Sequence, residues 1–313
     1  EISACLVGSE MCIRDSSCSI SIPMKQFILI VFLIHAGLSS AQDRFFYLGQ
    51  PYIYKDSVLL DQSRLNLIYR HEFRVDTSAS PMWSNVKMQV GRMVVKQTDL
   101  HVYFTNLWRK ISEETPGIVP DREQAELISN GNCNHPYFAE MMIFPSENAL
   151  RITCCNYLLG SHSGPFVYDE SIPEMEWQLL DGADSVAGYA CKIAQTHFRG
   201  RVWKAWYTLQ IPIPTGPWKL HGLPGIILRA VDQTGTYSFE CIGIETDSQS
   251  IYEYVPMRPT AVTRTQYLRY ERRYHEDPQS VRGDAADIFK LGQDGVTNID
   301  TDWQIPYYPI EFE

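Results

Sequence analysis

The chain has 313 residues, with 27 lysines and arginines against 37 aspartates and glutamates, so its formal net charge is −10. A chain this acidic is repelled by phosphate backbones, which excludes nucleic acid as an expected partner. The length suits one large domain or two small ones, and the absence of repeats and of Gly/Ser linkers favours one.

Residues 1–23 read as an adapter-like, non-native extension and are set apart from the fold. Met24 opens the layout of a secretory signal peptide over 24–41. Lys25 is its positive n-region, 27–34 its apolar run, and Ser39-Ser40-Ala41 its small-residue cleavage site. The run is too short to span a bilayer, which takes about 20 residues. Cleavage would leave Gln42 first and 42–313 as a single β-rich domain with no transmembrane segment. Five cysteines fall in it: Cys133, Cys154, Cys155, Cys191 and Cys241. Export places them where disulfides persist, and they form no CxxC pair.

Segments 45–54, 65–75 and 86–95 interleave aromatic and branched residues with polar ones, which suits half-buried strands. Segment 100–107 continues the pattern. Pro120 and the acidic residues after it predict a short helix over 121–128. Segments 138–144 and 150–158 return to strand. The clearest hairpin pairs 188–198 with 202–211 across Arg199-Gly200-Arg201. On its second strand Trp203, Ala205, Tyr207, Leu209 and Ile211 share the expected core face, and Lys204, Trp206, Thr208 and Gln210 the other. A further hairpin pairs 226–231 with 237–244. Tyr267, Tyr270 and Tyr274 recur at helical spacing, and Asp284 can cap a short helix that stops at Gly292. The expected fold is mainly β with a few short helices. An open, curved antiparallel sheet similar to periplasmic lipoprotein carriers is favoured, with a β-sandwich as the alternative.

Between the two hairpins, Gly222-Leu223-Pro224-Gly225-Ile226-Ile227 is similar to the signature of the GLPGLI family, with Ile226 in place of its leucine. Tyr168-Asp169-Glu170, Glu176-Trp177 and Gly188-Tyr189-Ala190-Cys191-Lys192 resemble other segments of that family. So do Phe198-Arg199-Gly200-Arg201, Ala205-Trp206-Tyr207 and Gly216-Pro217-Trp218-Lys219. The ending Tyr308-Pro309-Ile310-Glu311-Phe312 resembles its Asn-Pro-Ile-Glu-Leu close, departing at Tyr308 and Phe312. The resemblance implies an exported protein of Gram-negative bacteria. It carries over no catalytic or ligand-binding residue, because the family has none assigned. Physically the signature reads as a rigid turn, with glycines freeing the backbone and prolines fixing it.

Candidate chemistry is sparse. Gly160-Ser161-His162-Ser163-Gly164 fails the nucleophile elbow, which needs serine at its centre. Cys133 and His135 offer two metal ligands where zinc needs three or four. Cys154 and Cys155 would point to opposite faces of a strand. Cys191 and Cys241 are expected in neighbouring strands, facing the core, either bonded to each other or as buried thiols. Trp206, among polar neighbours, is a candidate binding surface. No catalytic, cofactor or metal residue is assigned. The sequence therefore points to an exported cell-envelope protein, a non-enzymatic binder of an apolar ligand or an envelope protein. An envelope hydrolase, or a thiol- or metal-handling protein using Cys133, His135 or Cys191, is the alternative. A large apolar cavity would favour binding, and clustered His, Cys and carboxylates in a cleft would favour chemistry.

Overall fold

A computed structural model describes residues 54–74, 81–115, 117, 140–154, 165–277, 289–292, 295–298 and 307–312. The extension, the signal peptide, the 121–128 helix, Cys133, His135, Cys155 and the 160–164 motif lie outside the described residues.

The strands run in chain order as β1 (Tyr54–Gln62), β2 (Leu65–Phe73), β3 (Met82–Val90) and β4 (Val95–Asp99), followed by helix α1 (Leu100–Glu114). Then come β5 (Glu140–Phe144), β6 (Ala149–Cys154), β7 (Phe166–Ser171), β8 (Gln178–Val186), β9 (Tyr189–Phe198) and β10 (Arg201–Thr208). After the signature loop follow β11 (Ile226–Asp232), β12 (Tyr237–Glu245), β13 (Ser250–Pro256), β14 (Thr260–Ala261) and helix α2 (Arg264–Glu276). Strands β15 (Phe289–Gly292) and β16 (Gly295–Asn298) pair as a small hairpin.

Among the described residues twelve strands form one open sheet in the order β14-β7-β6-β5-β4-β3-β2-β12-β11-β10-β9-β8. All its pairings are antiparallel except the short β14–β7 pair. The fold is mainly β with short helices, and the sheet does not close into a barrel. Alternation sets its inner face: Leu65, Leu67, Tyr69 and Phe73 of β2 point inward with Val86, Met88 and Val90 of β3. Trp203, Ala205 and Tyr207 of β10 join them, as the hairpin reading expected. Arg199 and Gly200 both have positive φ, 52° and 76°, so a two-residue turn links β9 to β10 with the twist that hairpins favour.

Four expectations need correction. Segment 86–95 is not one strand: Gly91 N–H bonds to the Val94 carbonyl and turns the chain between β3 and β4. A side chain at Gly91 would meet the Asp61 carboxylate, which accepts from the Arg92 and Met93 amides. Segment 100–107 is helical, since Val102 and Asn106 are buried one turn apart and Phe104, Leu107 and Ile111 recur at helical spacing. The helix expected to end at Gly292 gives way to β15. Leu209 is 47% exposed because β10 ends at Thr208, so Leu209 lies past the last residue held to the inner face.

The sheet is strongly curved. Trp218 in the signature region exchanges two hydrogen bonds with Gln97 of β4, both 2.8 Å, while its ring lies 5.4 Å from Trp203 of β10. In a flat sheet β4 and β10 would be five spacings, about 24 Å, apart. Curling brings both to one residue. On the outer face, α1 and the β1–β13 ribbon cover part of the sheet near β3–β6. Lys87 stacks on Tyr103 and Lys110 on Tyr252 there, and Lys96 lies over Tyr254 and pairs with Glu140 at 2.6 Å.

Candidate functional site

The signature loop fills the inside of the curved sheet. Leu223, Ile226 and Ile227 are buried, while Gly222 and Pro224 are exposed. The backbone knits itself to the scaffold: Ile226 N–H donates to Ile211 O at 3.0 Å, Ile227 N–H to Thr215 O at 3.0 Å, and Tyr69 Oη to Ile227 O at 2.7 Å. Trp218 sits in the left-handed region at φ 52°, a conformation costly for a bulky residue. Gln97 stabilises it by accepting from its N–H and donating to its carbonyl, and also donates to Gly216 O at 3.1 Å.

The residue after Trp218 begins a charged constellation. Lys219 Nζ lies 2.6 Å from Glu311 Oε1 and 2.6 Å from Glu170 Oε1. Arg264, in the first turn of α2, donates to Glu311 Oε2 at 2.8 Å. Arg199, from the β9–β10 turn, donates to Glu170 Oε2 at 2.8 Å and lies 3.6 Å from Glu311. Glu170 belongs to β7, which is nine positions from β9 in the sheet order, about 43 Å if laid flat. Side-chain charge therefore spans a gap that backbone pairing leaves open.

The segment 307–312 runs beside this constellation. Arg201 donates Nε to Ile310 O at 3.0 Å and a further N–H to Pro309 O, and is itself held by Asp232 at 2.7 Å. Tyr237 Oη donates to Tyr308 O, and Phe312 N–H donates to Arg199 O at 3.0 Å. Phe312 covers Gly200, where a Cβ would lie 2.8 Å from its ring. Thus the segments around Tyr168–Glu170, Phe198–Arg201, Gly216–Lys219, Gly222–Ile227 and Tyr308–Phe312, scattered in sequence, converge in space.

A cavity of about 10 Å³ lies under the junction, lined by Met141, Ile152, Tyr168, Leu268, Ile310 and neighbours. That is room for about one water. Glu271 of α2 borders it, with Tyr307 Oη at 3.5 Å. Burial, reinforced by the Glu311 charge, pushes the Glu271 carboxyl up to about 8. Burial also pushes Glu311 up, but the Lys219 and Arg264 charges and their hydrogen bonds outweigh it and hold Glu311 below the ordinary carboxylate value.

The cysteine expectation is corrected in part. Cys191 of β9 and Cys241 of β12 are both buried, but β10 and β11 lie between them and no disulfide joins them. Two hairpins laid in series put β10 and β11 at the centre, so the strands carrying the cysteines are the outer pair. Cys191 is not bonded to Cys154 either. Burial raises both thiols, Cys241 to about 12, so neither is poised as a thiolate. Trp206 is half-buried: Arg229 stacks on its ring at 4.1 Å and Lys204 at 5.0 Å. Among the described residues no group of three or more His, Cys, Asp or Glu side chains could hold a metal, and no helix is long and apolar enough to cross a membrane.

Gln97 and Glu271 were not singled out from sequence, and Glu170 and Glu311 stood inside the motif segments without a role assigned to them. The available signal was polar residues embedded in apolar runs, as in Pro309-Ile310-Glu311-Phe312. Nothing local told which acids meet.

A family described as "Protein of unknown function (Porph_ging)" matches residues 177–229, the stretch from Trp177 through the signature into β11. No curated protein matches the chain. Two solved structures of PNGF-II, in different space groups, are similar at 12% identity, with TM-scores of 0.41 and 0.42. Each alignment covers 67% of this chain, which spans only about a third of those solved chains (33% and 32%).

Proposed function

We propose that this is an exported cell-envelope protein of the GLPGLI type that works by binding and not by catalysis. The observation that carries this reading is the convergence of the motif segments on a cluster of mutually paired charges. Lys219, Arg199 and Arg264 are spent on Glu170 and Glu311, and the adjoining cavity holds about one water. A catalytic centre needs a reactive group facing a cleft large enough for substrate. Here the charged groups hold distant parts of one sheet together.

The signal-peptide layout at 24–41 supports export. Expression of the chain from Met24 in a Gram-negative host, followed by fractionation and terminal peptide mass spectrometry, tests it. The expected result is a periplasmic or outer-envelope protein beginning at Gln42, with no turnover of ester, amide or glycoside substrates above background. Cytoplasmic retention with a dominant peptide spanning Ala41–Gln42 would overturn the export half. Turnover that co-purifies with the folded protein at constant specific activity would overturn the other.

A further inference from the structure

We infer that the cradle formed by Arg199, Arg201, Lys219, Tyr237 and Arg264 is a peptide-binding site for a short segment that bends at an apolar residue followed by a glutamate, occupied in cis by 308–312. The inference rests on the binding reading above and names its ligand class.

Three observations carry it. The first is how the segment is held. Arg201 donates to the carbonyls of Pro309 and Ile310, Tyr237 to that of Tyr308, and Arg264 to that of Phe312 at 3.3 Å. The Arg199 carbonyl receives the Phe312 amide. Recognition of a segment through its backbone groups is sequence-tolerant, with side-chain pockets adding specificity.

The second is charge. Cations from three separate elements, a hairpin turn, the signature region and a helix start, meet the Glu311 carboxylate. Glu170 is the other carboxylate paired with them. Without Glu311, three cations would face only Glu170 among the described residues, with Lys219 only 2% exposed. Glu271, kept protonated by burial at neutral pH, does not make up the deficit. A vacated cradle therefore demands an anion, and the fork of Arg264 suits a carboxylate.

The third is fit. Ile310 is buried to 4% against the apolar wall of Met141, Ile152 and Leu268, beside unfilled space for one water. An apolar side chain two positions after an exposed Tyr308 and one before the anion gives the pocket its register.

The test uses the full chain and the acetylated peptide Tyr-Pro-Ile-Glu-Phe at millimolar excess, with Tyr-Pro-Ile-Gln-Phe as control. Amide exchange is followed at Phe312 and, for reference, across β10 and β11. If the cradle exchanges ligands, the glutamate peptide speeds Phe312 exchange at least tenfold and leaves β10 and β11 unchanged, while the control does nothing. Phe312 exchange that neither peptide moves, or that both move alike, overturns the inference. A second arm uses Glu311→Gln in the full chain. Fluorescein-labelled glutamate peptide should bind it at least tenfold more tightly than the unmodified chain; equal affinity counts against the site. If that variant does not fold, the exchange experiment on the unmodified chain still decides. Failure of either arm leaves the export and turnover results untouched, and the reverse also holds.

Discussion

Gly222 and Gly225 sit in one signature for different reasons. Gly222 has φ +89°, and a Cβ there would have only Trp177 Nε1 nearby, at 3.8 Å, so its constraint is torsional. Gly225 has no positive φ, but a Cβ there would lie 2.0 Å from the Thr208 carbonyl oxygen, so its constraint is space. The obstacle is backbone, which cannot swing aside like a side chain. Gly225→Ala should therefore cost about 3 kcal/mol or more, the upper range for forced overpacking. Gly222→Ala should cost about 1–2 kcal/mol, the left-handed penalty for a residue with a Cβ. Urea unfolding of both variants measures the difference. Equal losses would mean that the loop yields around Gly225 and that its close approach to Thr208 is not a firm constraint. The sequence showed that these glycines matter and that the loop is stiff. It did not show which constraint each obeys, because that depends on Thr208, 17 positions upstream of Gly225.

At the scale of elements, period-two patterning was enough to find β9, β10 and β12, because each has one clear inner face, while β2 and β5, buried on both faces, were found by their runs of apolar and branched residues. It failed at β4. There Val95 and Gln97 face the signature loop while Lys96 faces the β1–β13 ribbon, so both faces are buried and the alternation carries no inside–outside signal. It failed at α1, whose aromatic residues satisfy strand and helix patterns alike over a short window. The ribbon's attachment was equally illegible, since it depends on a buried ion pair from two strands. Lys96 and Glu140 have side-chain exposures of 1% and 2%, and Lys96 also donates to the Tyr252 carbonyl of β13. Removing one partner strands the other's charge, so Glu140→Gln should cost about 3–5 kcal/mol. The double variant Lys96→Met/Glu140→Leu removes both charges and should lose less than the single one. Thermal unfolding of the three proteins tests this. A double variant as damaged as Glu140→Gln would show that the Tyr252 contact, and not the pair, anchors the ribbon.

For the whole molecule, an open sheet curled this far must hold its distant parts together without strand pairing, and carboxylates of opposite pH preference sit where it does so. Glu311 has a depressed folded value, so it contributes stability that is present above the ordinary glutamate value near 4.5 and is lost as pH falls through its folded value. Glu271 behaves oppositely. Its folded value, about 8, lies above 4.5, so the folded protein holds a proton that the unfolded chain has released. Its contribution is complete below about 4.5 and is lost as pH rises toward 8. At 1.36 kcal/mol for each unit of difference, the loss is of order 5 kcal/mol across that window. Together they place the stability maximum of this junction at mildly acidic pH, with a decline on both sides. Glu271→Gln keeps the shape of the protonated carboxyl and cannot ionise. It should leave stability at pH 4.5 almost unchanged, raise it by several kcal/mol at pH 8, and flatten the alkaline limb while sparing the acid one. Urea unfolding from pH 4 to 9 in both proteins supplies the comparison. Parallel profiles would mean that Glu271 ionises normally in the folded state, and that the contact between α2 and the 307–312 segment admits water.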